Sequence, residues 1–294
     1  MTSRLPSLLL VLAGLLLAGT PARSQDDPAP REALRVCQDP NNPPFSNTEG
    51  TGIENRIAQV FGKAMGLPVS FYSFPQRMNF IRNTLRYKLP GSDYPCDIVM
   101  GVPVGFDQVS VTKPYYRSTY ALVFAQGRGL DQVKTGEDFL ALPRERLSKL
   151  RIGLYDQGPG TEWVKKHGLV DQTTPYHLMN ADPGQYPGQI VEKDLASGKI
   201  DVVIVWGPIA GFFAQHASAP KLSVVPLKSE PGVKFDYQMA MGVRYGEPAW
   251  KKQVEGLIDS QHDAIEAILK EFGVPLVDES YVDPKNAARL AAGK

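Results

Sequence analysis

The sequence predicts an α/β fold built on open, doubly wound parallel sheets, and three observations carry that expectation. A short apolar run from Leu34 to Cys37 passes through a polar, proline-rich loop into an amphipathic helical pattern between Ile53 and Leu67. Strand and helix patterns then alternate as far as Met100, as they do in βαβ units. The same plan returns at Leu150, where a second apolar strand runs through Gly158 and Gly160 into another helical pattern.

Taken in order, Met1 to Ser24 reads as a removable export signal. Arg4 supplies the positive start, Leu8 to Ala18 the apolar run, and Ala22-Arg23-Ser24 small residues at a cleavage point. The run is too short for a span, which needs about 20 apolar residues, and no cysteine stands there to take a lipid. Without this segment, 30 basic residues face 31 acidic ones, a balance that argues against a nucleic-acid surface.

Asp39-Pro40-Asn41-Asn42-Pro43-Pro44 continues neither strand nor helix, because prolines lack the amide donor and restrict the residues before them. Ile53, Ile57, Val60, Phe61, Ala64 and Leu67 then form a helical stripe closed by Gly66. Val69 to Tyr72 is the second strand, a helix is expected through Asn79, Phe80, Leu85 and Tyr87, and Asp97 to Met100 is the third strand. Ser110–Tyr116 and Tyr120–Ala125 are further apolar segments. Leu150–Tyr155 leads into the turn Asp156–Gly160, with Thr161 expected to cap a helix from Glu162. That turn offers backbone N–H groups to an anion, or Thr161 satisfies one of them and the glycines serve the turn alone. Tyr186–Gly198 reads as helix, Ile200–Val205 as a buried strand ending at Trp206, Ile209–Ala214 as helix, and Leu222–Leu227 and Phe235–Val243 as strands. Trp250–Phe272 reads as one long amphipathic helix.

Three segments carry a family resemblance: Cys37-Gln38-Asp39-Pro40-Asn41-Asn42-Pro43-Pro44-Phe45-Ser46-Asn47, Gln76-Arg77-Met78-Asn79-Phe80-Ile81-Arg82-Asn83-Thr84-Leu85, and Cys96-Asp97-Ile98-Val99-Met100-Gly101-Val102-Pro103. In order and over nearly the whole mature chain, they resemble the MxaJ/XoxJ family, binding-protein-like periplasmic accessories of pyrroloquinoline-quinone (PQQ) methanol dehydrogenases within the type II periplasmic solute-binding superfamily. The resemblance implies two doubly wound lobes around an interlobe cleft. After a signal peptide at 1–24, lobe 1 would comprise 31–125 and 237–294 with lobe 2 inserted at 126–236, the first crossing lying near Phe124–Gly127. It also implies a periplasmic protein that assists assembly, maturation or activation of a methanol dehydrogenase, with a cytochrome c as a further candidate partner. An ABC-transporter solute-binding protein for a small aromatic or alcohol-derived solute is the alternative. No tightly bound cofactor is expected, and transient handling of PQQ stays open.

Cys37 and Cys96 are the only cysteines. An even count in an exported chain makes them disulfide candidates, and in this fold they would stand on neighbouring strands. Two buried free thiols are the alternative, favoured if the Cα atoms lie beyond about 7 Å.

Amino-acid-binding members of the superfamily hold the ligand carboxylate with an arginine after the third strand and its ammonium with an acid after the lobe-2 strand. Here the first stretch is Pro103-Val104-Gly105-Phe106-Asp107-Gln108, and Trp206 stands at the second position. A zwitterionic amino acid is therefore a poor ligand. The remaining cleft candidates are Phe45, Phe106, Tyr115, Tyr116 and Trp206, with Asn41, Asn42, Gln76, Arg77 and Thr161 as polar partners. They suit a flat ligand or an inserted protein segment. His167, His177, His216 and His262 lack metal-binding spacing, and surface or core roles are expected for them. No G-x-S-x-G occurs, and no catalytic or metal residue is expected. Glu54 beside the cleft is the one residue that keeps an enzyme on this fold in view.

Overall fold

A computed structural model describes residues 31–76, 79–177, 182 and 184–283. The expected export signal and Arg77 lie outside the described residues. Strand β1 (Leu34–Gln38) enters a two-rung hairpin, β2 (Asn41–Asn42) and β3 (Ser46–Asn47), and then helix α1 (Ile53–Met65). β4 (Val69–Ser73), a short α2 (Phe80–Asn83) and β5 (Ile98–Pro103) follow. β4 and β5 flank β1 and run parallel to it. One face of α1, with Ile53, Ile57, Ala58 and Phe61, is buried. Gly66 closes α1 at φ +67, a conformation that costs glycine little because it has no Cβ.

β6 (Ser110–Ala125) is one strand of 16 residues, where the sequence reads as two segments. Short helices α3 (Gly136–Leu140) and α4 (Arg144–Leu147) lead to β7 (Ile152–Tyr155), α5 (Pro159–Lys166) and β8 (Thr173–Tyr176). A π-helical segment (Ile190–Leu195), β9 (Val202–Trp206), α6 (Gly207–His216), β10 (Leu222–Pro226) and β11 (Asp236–Val243) complete the strands. α7 (Pro248–Ser260) and α8 (His262–Glu271) follow. The strand order is β4-β1-β5-β11-β6-β9-β7-β8, with β10 also on β6. The fold is that of a type II periplasmic binding protein.

β6 is the joint. From Ser110 to Thr119 it pairs with β11, and from Tyr120 to Phe124 with β9. The sheet therefore changes partners at Thr119–Tyr120, before the segment Phe124–Gly127 where the crossing was expected. The segment after α8 runs along this joint. Ser118 Oγ donates to the Pro275 carbonyl (2.7 Å), the Val277 N–H donates to the Arg117 carbonyl (3.2 Å), and the Ser229 N–H donates to the Tyr281 carbonyl (2.9 Å). α6 is seated tightly beside it, since a Cβ on Gly211 would stand 1.8 Å from the Gly273 carbonyl oxygen.

One core joins α1, α7 and α8 to the β1–β5–β11 sheet, and a smaller cluster around Cys37 and Cys96 includes Phe80, Ile81 and Leu85. Two further clusters surround β6 after Tyr120, β7 and β9. Cys37 and Cys96 form a disulfide with Cα atoms 5.3 Å apart.

Four helix expectations need correction. The helix expected through Tyr87 stops at Asn83, where the Thr84 hydroxyl donates to the Phe80 carbonyl (2.6 Å) and Thr84 leaves helical geometry. Trp250–Phe272 is two helices broken at Gln261, which the continuous apolar periodicity conceals. Thr161 is not a cap: Gly158 is, and Pro159, whose fixed φ suits a first helical position, starts α5 ahead of it. Regular helix is replaced by the π-helical segment in Tyr186–Gly198, where the Gly188 Cα lies so near Phe213 that a Cβ would meet the ring at 1.8 Å.

Candidate functional site

The strand ends that meet at the joint carry most of the expected site residues. Asp39, just past β1, is buried, and its carboxylate accepts hydrogen bonds from the N–H of Asn41 (2.8 Å) and of Gln76 (2.6 Å). Asn42 Nδ2 donates to Gln76 Oε1 (2.7 Å). One acid thus fixes the hairpin loop against the segment after β4. At the loop's tip Phe45 packs against the cluster that contains Ala121, Val205 and Ile209. Phe45 and Trp206 therefore meet the same core from two elements far apart in sequence.

On β6 the register slips between Pro114 and Tyr116, which oppose consecutive residues Ala240 and Met239. This extra residue lets both Tyr115 and Tyr116 pack on the first core, with ring centroids 4.9 Å apart. The Tyr115 hydroxyl donates to the Met100 carbonyl (2.8 Å), so this residue is a buried structural group more than a free cleft contact.

Glu54, in the first turn of α1, lies over the Gly101 backbone. A Cβ on Gly101 would stand 2.4 Å from Glu54 Oε1, so a side chain there would make the carboxyl shift. Burial, and secondarily the charge of Asp39, pushes the Glu54 pKa up to about 7. The native state then keeps a proton that the unfolded chain releases between about pH 4.5 and 7. This group's contribution to stability is full below that window and is lost as pH rises through it. Glu54→Gln is expected to remove this loss, on the order of 1–3 kcal/mol. Urea unfolding at about pH 5 and about pH 8 checks it, and an identical decline in the variant would contradict the assignment.

On the other side of the joint is a cavity of about 700 Å³ at the ends of β7 and β9. Tyr120, Tyr155 and Trp206 form aromatic walls, Ile204 and Ile209 add apolar surface, and the turn Asp156–Gly160 forms the rim with His177 and Pro187. Trp206 sits 5.4 Å from the Tyr120 ring and 5.9 Å from Tyr237, centroid to centroid. Burial raises the Tyr120 phenol to about 12. His177 Nδ1 and Asp156 Oδ2 are 2.8 Å apart, and the Tyr155 hydroxyl donates to the Pro187 carbonyl (2.7 Å).

Two expected cleft residues fall elsewhere. Phe106 packs on the cluster around the disulfide, because the loop after β5 doubles back to start β6 at Ser110, opposite Val243. Thr161 turns its hydroxyl to the Tyr155 carbonyl (3.3 Å). Tyr120, Tyr155, Asp156 and His177 were missed. Tyr120 reads as an ordinary strand residue, and the short β8 that delivers His177 has no apolar alternation to announce it.

The fold and this aromatic cavity at the strand ends define a binding protein of the type II periplasmic class. No protein-family model matches the chain. Protein MoxJ of Methylorubrum extorquens is 31% identical over 93% of this chain and 95% of its own length. Protein MoxJ of Paracoccus denitrificans is 27% identical over 90% and 96%. The crystal structure of the periplasmic binding protein XoxJ from Methylobacterium extorquens AM1 superposes with a TM-score of 0.67 at 33% identity, covering 84% of this chain and all of that one. An ancestral cationic amino-acid solute-binding protein, at 17% identity, 82% and 96% coverage and a TM-score of 0.61, shares the fold. The chain belongs to the MxaJ/XoxJ family, to which the MoxJ proteins also belong.

Proposed function

We propose that this protein is a non-enzymatic periplasmic accessory of a PQQ-dependent methanol or alcohol dehydrogenase, and that it assists the enzyme's assembly, maturation or activation by holding part of it in the interlobe cleft. Its family is one of methanol-utilisation-associated periplasmic binding proteins, and the relatives' character as periplasmic binding proteins implies a periplasmic location. Among the described residues no helix is long and apolar enough to cross a membrane.

The observation that carries the reading is the replacement of a charged ligand clamp by aromatic surface. Phe106 lies over the disulfide cluster in the stretch expected to carry the carboxylate-binding arginine, and Trp206 lines the cavity wall where the ammonium-binding acid would stand. At these two positions neither charge of a zwitterion meets a partner, whereas clustered Tyr and Trp side chains are the common anchors of protein interfaces.

Trp206→Ala tests this directly. Dehydrogenase activation in a strain lacking the native gene is expected to fall by about 10-fold or more, since loss of an anchor of this kind costs about 2 kcal/mol. Normal activation by a folded Trp206→Ala protein would remove the cleft from the account. Uptake of a small solute lost in the same strain would favour transport instead.

A further inference from the structure

The two halves of the sheet touch at more than the strands they share. α6, which follows β9, meets the end of α8, which belongs with α1 and α7. The Phe212 ring is stacked on Phe272, just past α8, with centroids 5.6 Å apart and planes inclined by 19°. Phe212 thereby packs on two clusters at once, the core of α1, α7 and α8 and the one that contains Ala121, Val205 and Ile209. Backbone lies against backbone beside it, since a Cβ on Gly211 would stand 1.8 Å from the Gly273 carbonyl oxygen. Phe272 is itself fixed to the first half, because Arg56 on α1 lies over its ring (5.7 Å) and pairs with the adjoining Glu271.

A second contact comes from the hairpin loop. Phe45 packs on the cluster of Ala121, Val205 and Ile209, yet its backbone is tied to the first half. Its N–H donates to the Asn42 carbonyl (2.8 Å), and its own carbonyl accepts from the Glu54 N–H (2.8 Å). The Ser46 hydroxyl next to it donates to the Asp39 carbonyl (2.9 Å). The ring is therefore a knob on a stiff base, pressed into the other half. A bend of β6 at Thr119–Tyr120 would have to slide Phe212 off Phe272 and Phe45 off its cluster together. Close-packed contacts of this kind hold one arrangement or jump to another and do not deform smoothly, and parting them returns aromatic surface to water.

We infer that the α6–α8 seam and the Phe45 knob lock the two halves at one angle. The cleft between them then keeps a fixed width and takes its guest without the hinge closure by which two-lobed binding proteins surround a solute. This holds whatever the guest is and does not rest on the function proposed above.

Residual dipolar couplings of the deuterated mature protein test the lock, because each half reports its own alignment tensor and a hinge motion on the microsecond-to-millisecond scale makes the two differ. The wild type is expected to give tensors of equal magnitude, related as the structure relates the two halves. Phe45→Ala combined with Phe212→Ala should release the halves and make the magnitudes unequal. Gly211→Ala keeps every ring but drives a methyl against Gly273, so it should leave the magnitudes equal and rotate one tensor against the other. Unequal magnitudes or two sets of couplings in the wild type would overturn the inference, and so would a folded double variant that keeps the wild-type tensors. The wild-type measurement requires no variant to fold.

Discussion

Asp97→Ala is expected to lower the folding free energy by about 3–5 kcal/mol, the scale on which a buried ion network loses one partner. Asp97 lies immediately before β5 with its side chain fully buried, and it is shared by two arginines. Arg35 on β1 donates from Nε (2.7 Å) and Nη2 (3.0 Å), and Arg244, just past β11, donates from Nη2 (2.5 Å). Arg244 also donates to the carbonyls of Leu85 (3.2 Å) and Cys96 (2.5 Å) and lies over the Tyr94 ring. Three strands and the loop before β5 therefore converge on one carboxylate. Alanine would take from the Arg244 guanidinium, whose side chain is only 8% exposed, its buried carboxylate partner and leave it Glu247 (2.6 Å) and the two carbonyls, whereas Arg35 at 32% can reach water. Arg35→Ala should accordingly cost about 1 kcal/mol, nearer the range of exposed pairs. Chemical denaturation of the two variants separates these cases, and a loss below about 1 kcal/mol for Asp97→Ala would show that the network does not bear on stability.

Removing the disulfide is expected to cost about 2–4 kcal/mol, the usual range for a cross-link closing a loop of this length. The bridge joins residues 59 apart in sequence. Cys37 stands two residues before Asp39, which ties the hairpin loop to Gln76. Cys37→Ser with Cys96→Ser should therefore both lower global stability and speed hydrogen exchange at Asn41 and Gln76 beyond the change at α7. A uniform change across the chain would mean that the bridge acts on the unfolded state alone.

The fold was legible because the strands and α1 declare themselves through local pattern. α1 shows its 3.6-residue stripe and its closing glycine, and the buried apolar run before Trp206 becomes β9. Features set by packing between distant segments were not. Nothing local distinguishes one 16-residue strand from two shorter ones at Arg117–Thr119, because its continuity comes from changing partners there. The break at Gln261 keeps the apolar spacing on either side, so periodicity passes through it unaltered.

At the site, strand-end logic singled out Trp206, Asn42 and Gln76, which stand where strands stop, but not the hydrogen bond from Asn42 to Gln76, which joins two loops distant in sequence. It failed for Phe106, whose position depends on the path of a loop, and for Asp156 and His177, which approach each other only once β8 has paired with β7. The exposed His177 shares the surface or core role expected of all four histidines, because no partner for it is visible along the chain.

The central claim is that the cleft holds part of a dehydrogenase. Native mass spectrometry of the mature protein mixed with the dehydrogenase from the same periplasm tests it most directly, with wild-type and Trp206→Ala proteins run side by side. The account predicts a complex with the wild type that is lost or strongly reduced in the variant, and no small molecule retained on the free protein. A stoichiometric small ligand without any protein complex, or a complex indifferent to Trp206, would contradict it.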